Sequence, residues 1–153
     1  LTQRRQKMIE EEQEHKKKVN EVRKILKDLG LPTSIPPHTV HNEFYHPDIC
    51  TRINGSKFTT VEIINSSYSF DILGQLSLLL QKDIVEYAIC VITKTLLEKD
   101  FKKWQTVLEE VQKLKKYSNL RGKLILIKED DTEEWFKRET EKSLLWKPEE
   151  LVK

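Results

Sequence analysis

His46-Pro47-Asp48-Ile49-Cys50-Thr51-Arg52-Ile53-Asn54-Gly55-Ser56-Lys57-Phe58-Thr59-Thr60-Val61-Glu62-Ile63-Ile64 is the stretch that decides the fold. Locally it reads as a β-hairpin. Ile49 to Ile53 and Lys57 to Ile64 are two runs rich in Thr, Val and Ile, which suit pleated, half-buried strands. Asn54-Gly55 between them accepts the positive φ values of a tight hairpin turn. Asp48 opens the first run and Glu62 lies near the close of the second, so an antiparallel pair sets two carboxylates side by side. Two carboxylates held together repel unless a cation sits between them. A hard divalent ion such as Mg2+ or Mn2+, bound by oxygen, resolves that repulsion.

Alternation within the second run puts Phe58, Thr60, Glu62 and Ile64 on one face and Thr59, Val61 and Ile63 on the other. Glu62 is thereby set among apolar and small residues, where an unpaired carboxylate is costly. Lys57 falls on the opposite face by the same parity. Upstream, Thr39 to Tyr45 alternates as a further strand, preceded by the stiff connector Ile35-Pro36-Pro37. His38, His41, His46 and Cys50 raise a zinc site, but their spacing fits no familiar finger. His41 or His46 near the carboxylates, orienting water or touching phosphate, is a better reading than zinc, and an ordinary solvent-facing histidine is the commoner case.

Working outward, Val19, Val22, Ile25, Leu26 and Leu29 recur at helical spacing. Gly30 ends that helix and Pro32 blocks its return. Glu21 lies beside the stripe. Residues 1–18 are almost wholly polar, with blocks of Lys/Arg and Glu around Met8 and Ile9. Such an arm cannot bury one face, so it should project, fray or pair with another chain, a homodimer included. After Glu62, Asn65-Ser66-Ser67 caps a helix over 68–81 that is apolar on most sides. Gln75 is its odd polar residue. A continuous apolar strand over 84–93 follows, as in a sheet covered on both faces. Next come an amphipathic helix over 98–117 with a lysine-rich outer face, a buried strand Leu124-Ile125-Leu126-Ile127, and a final helix from about Asp131 stopped by Pro148. Strand–helix–strand alternation there points to parallel crossovers.

Composition narrows the rest. At 153 residues the chain suits one domain, with residues 19–153 as its body and 1–18 as its arm. A formal net charge of +2 does not announce a nucleic-acid binder, so local charge must carry that claim. No apolar run spans a bilayer and no signal-peptide core lies near the start, so a cytoplasmic, intracellular protein without a membrane partner is expected. Cys50 and Cys90 make no disulfide framework and read as buried free thiols. No Gly-rich phosphate loop or nucleophile elbow is present.

Pro47-Asp48, followed fourteen positions later by Glu62 in a strand, resembles the metal site of the PD-(D/E)xK nuclease superfamily, the restriction-endonuclease-like fold. Glu21 before Val22, Leu26 and Gly30 resembles its first core helix. Gly74-Gln75-Leu76 resembles the glutamine-bearing helix of RecB-like members. The family has lysine two residues after the glutamate, and this chain has Ile64 there. The resemblance implies an α/β fold: an αβββαβ core with a mixed central sheet flanked by helices, here with a C-terminal helix–strand–helix extension. It also makes the strands of Cys50 and Cys90 neighbours in which one bridge could form. It implies a metal-dependent nuclease (a hydrolase, or endonuclease, acting on DNA phosphodiesters) with Mg2+ or Mn2+ on Asp48 and Glu62. Glu21 and Gln75 would be auxiliary catalytic groups, and Arg52, Lys57 and His46 would contact the nucleic acid. The alternative, supported by Ile64, is a catalytically inactive relative that binds nucleic acid or a protein partner.

Overall fold

The computed structural model describes residues 2–33, 47–53, 57–65, 70–96, 98–114 and 122–145. The strand expected over 39–45, the Asn54-Gly55 turn and His46 lie outside them. The described elements run α1 (Gln3–Asp28), β1 (Ile49–Thr51), β2 (Phe58–Ile64), α2 (Phe70–Leu80), β3 (Val85–Ile92), α3 (Glu98–Gln112), β4 (Leu124–Lys128) and α4 (Thr132–Leu145), with a single 3-10 turn at Glu129–Asp131 before α4. The strands lie in the order β1-β2-β3-β4. β1 is antiparallel to β2, while β2, β3 and β4 are parallel. This is an α/β chain with a four-stranded mixed sheet flanked by helices, as the alternation of periodicities predicts.

Two successive crossovers of one hand place their helices on the same side of a sheet. Accordingly Leu76, Leu79 and Leu80 of α2 and Trp104 and Leu108 of α3 share one core with Ile64, Cys90 and Ile92. Val19, Val22 and Leu26 of α1 and Phe136 of α4 cover the other face over Val61, Ile63, Ile89, Val91 and Ile127. The parity expected for β2 is therefore the one observed. Leu78 departs from an all-round buried α2: it is 57% exposed. Leu114 lies beyond the end of α3 and is exposed rather than closing the stripe.

The β2–β3 register slips once. Phe58 pairs with Val85 and Thr59 with Tyr87, leaving Glu86 as an extra residue in β3. Such a bulge reverses the facing of the strand beyond it. Val85 accordingly packs with the α2–α3 core and Tyr87 with the α1–α4 core.

The expected arm boundary at residue 18 falls inside α1, which is a single 26-residue helix. Residues 2–13 are exposed, but His15 and Lys18 already reach the sheet. Gly30, at φ +79°, follows the last turn. Its N–H donates to Lys27 O at 2.9 Å and Leu31 N–H to Leu26 O at 2.9 Å, the paired bonds of a Schellman cap.

Cys50 and Cys90 are both buried free thiols. Cys50 pairs with Thr60 and Cys90 with Glu62, so β2 lies between them. Two strand spacings are about 10 Å, beyond disulfide reach. The neighbouring strands that a bridge requires are thus not found. Burial pushes the Cys50 thiol up to about 11. It raises Cys90 further, with the Glu62 carboxylate adding to the effect. Among the described residues no helix is long and apolar enough to cross a membrane.

Candidate functional site

The carboxyl ends of the parallel strands share one edge, the place where open α/β sheets bind ligands. Antiparallel β1 enters the sheet at that same edge, led by Asp48. Asp48 sits one residue beyond the Ile49–Val61 pair, so continuing the register sets it across from Glu62. Both residues thus come to one end of the β-ribbon, with the Asp48 carboxylate held by His15 of α1 and Glu62 on the face of Cys90.

Asp48 is held from several directions. Its Oδ2 accepts the Ile63 N–H at 2.8 Å and lies 3.2 Å from His15 Nε2. An ionised carboxylate only accepts, so the histidine N–H is the donor there. Arg23 Nη2 donates to the Asp48 main-chain oxygen at 3.3 Å. Asp48 Oδ1 accepts no hydrogen bond from the described residues, and the side chain is 16% exposed. One carboxylate oxygen is thus fixed, and among the described residues nothing holds the other.

Glu62 is half-buried and belongs to the α2–α3 face, where its charge bears on the Cys90 thiol. Gln75 is half-buried on α2, and its Oε1 is buried without a hydrogen bond. Ile64, at the position of the family lysine, is 2% exposed and packs into the same core. It offers neither charge nor proton to the edge.

The other sequence candidates lie elsewhere. Glu21 is exposed and pairs with Lys18 at 3.7 Å. It opens onto a cleft of about 210 Å3 with Lys18, Thr93, Glu129, Asp130 and Glu133, on the α1 face. Arg52 holds its guanidinium 4.3 Å above the Phe58 ring. It lies four residues along the chain from Asp48, about 13 Å in a strand, toward the turn end of the ribbon. Lys57 is exposed at that same end. The strand direction therefore carries Arg52 and Lys57 away from the Asp48 edge. Among the described residues no group of three or more His, Cys, Asp or Glu is arranged to hold a metal ion.

Sequence reasoning missed His15, Lys18, Arg23 and Glu129. Glu129 accepts from Lys18 Nζ at 2.5 Å and from the Lys94 N–H at 2.9 Å. The hydrogen bond to Glu129 is the main cause that raises the Lys18 pKa above the ordinary lysine value, against a smaller lowering by burial. Lys94 Nζ pairs with Asp130 at 2.8 Å. A signal was present: His15 lies four residues before Val19 and Lys18 four before Val22, so both continue the buried stripe of α1 by one turn. Comparison with protein-family models, with curated proteins and with solved structures returned no match.

Proposed function

We propose that the chain is a restriction-endonuclease-like domain that hydrolyses DNA phosphodiester bonds with Mg2+ or Mn2+ held between Asp48 and Glu62. The observation that supports this reading is the β1–β2 register, Ile49 with Val61, which continued by one residue brings Asp48 and Glu62 to the same end of the ribbon. The donor set fits a hard divalent ion, which takes carboxylate oxygens. Among the described residues nothing holds Asp48 Oδ1, and Oδ2 is oriented by His15 and by the Ile63 N–H in the manner of groups behind a metal ligand. When bound, the ion would acidify a water and polarise the scissile phosphate. The protein's own part is positioning: α1 fixes Asp48 through His15 and Arg23, and α2 brings Gln75 to the Glu62 face.

A second reading rests on Ile64. Its burial in the α2–α3 core leaves the family's lysine without a replacement at that position. On that reading the same domain binds nucleic acid without cutting it. The test is cleavage of supercoiled plasmid with Mg2+ or Mn2+, comparing the chain with Glu62→Ala. Metal-dependent nicking that vanishes in Glu62→Ala is the expected result. Undiminished nicking by the variant overturns the mechanism. Salt-sensitive binding without cleavage in any divalent metal selects the second reading.

A further inference from the structure

The N-terminal half of α1 is a helix face without a partner. The Thr2 hydroxyl caps it, accepting the Arg5 N–H at 3.2 Å, and residues 2–13 are exposed before His15 meets the sheet. Met8, 53% exposed, stands near the middle of that stretch. At about 100° per residue, Arg4, Arg5, Glu11 and Glu12 all lie within about 60° of Met8 around the helix axis. Arg4 and Glu11 fall on one side of it, Arg5 and Glu12 on the other. Each Arg–Glu couple is seven positions apart, about 10 Å along the helix, so one arm cannot close its own pairs. Among the described residues none of the four enters an ion pair. The other charges of the stretch lie off this face. Glu10 accepts from Gln6 Nε2 at 3.3 Å, and Glu14 is 4.0 Å from Lys18 Nζ. Lys7 stands at the margin, on the side of Arg4 and Glu11.

We infer that this arm pairs with the arm of a second copy of the chain, antiparallel, with Met8 against Met8. A two-fold axis at Met8 keeps each side of the face on the same side and reverses its direction. Arg4 of one copy then meets Glu11 of the other, and Arg5 meets Glu12, each pair occurring twice. Lys7 is carried toward the same Glu11. The same charges argue against a parallel pair, which sets Arg4 and Arg5 against their own counterparts. Length agrees as well: with Met8 near the middle, the overlap uses the whole exposed stretch and stops where each body begins. An overlap of about 12 residues is about 18 Å of helix, a small interface, and its pairs are solvated. The dimer is therefore a weak one, populated toward millimolar chain. It is independent of the phosphodiester reading, since neither Asp48 nor Glu62 takes part.

Sedimentation equilibrium of the full chain tests it, from about 10 μM to about 1 mM at low salt, where such pairs are least screened. The weight-average mass should climb toward twice that of the single chain as concentration rises. Arg4→Glu with Arg5→Glu should remain monomeric, and so should Glu11→Arg with Glu12→Arg. All four positions are exposed, so both variants keep the fold. An equimolar mixture of the two variants should associate again, because one arm then carries four acids and the other four bases. A wild-type chain that stays monomeric at about 1 mM overturns the inference. So does a dimer that survives in either variant, or a mixture that fails to associate.

Discussion

Lys18 shows how much of this fold rests on single polar contacts. Its ammonium and the Glu129 carboxylate are each 15% exposed, which is covered enough for the pair to matter and open enough for solvent to screen it. Lys18→Met keeps the stem and deletes the charge, and Glu129 retains the Lys94 N–H. The expected loss is about 1 kcal/mol, read from denaturant unfolding. The pairing raises the lysine pKa above 10.5, so its contribution is fully present below that value and is lost as pH rises through the folded-state value. The difference between wild type and Lys18→Met should therefore be constant near neutral pH and shrink only above about 10.5. A difference that shrinks nearer neutrality contradicts the assignment. At this scale the alternation of β2 was legible, with Val61 and Ile63 on one face and Ile64 on the other. The orientation of Asp48 was not. A residue just past a strand end is released from the period of two, and this one turned to cap the Ile63 N–H.

At the scale of elements, helix ends were legible where backbone conformation dictates the residue. Gly30 ends α1 with positive φ, and nothing lies within 4 Å of where a Cβ would sit. Gly30→Ala should therefore cost about 1 kcal/mol through backbone strain alone, with no steric component. A neutral result in thermal unfolding would mean that the cap rearranges. Two features left no trace in the sequence. β3 is so uniformly apolar that nothing marked the bulge at Glu86. The apolar surplus of α2 concealed that Leu78 faces outward.

Across the whole molecule, two cores back onto one sheet, and α1 serves one of them with only its C-terminal half. Removing residues 2–13, all exposed, should change stability by less than about 0.5 kcal/mol. Leu26→Ala, at a side chain with no exposed surface, should cost about 2–5 kcal/mol. Equal effects would show that the projecting half is packed in solution. The order of elements was readable because each period is carried by many residues. The proposed convergence of two acids rests on one hairpin register. That convergence is most directly tested by adding Mn2+ to the isotope-labelled chain and following amide signals. Paramagnetic broadening should begin at residues flanking Asp48 and Glu62, such as Ile49 and Ile63, and disappear in Asp48→Asn. Broadening that starts instead at the Glu129–Asp130 cleft, or none at millimolar Mn2+, would contradict a metal centre at the β1–β2 edge.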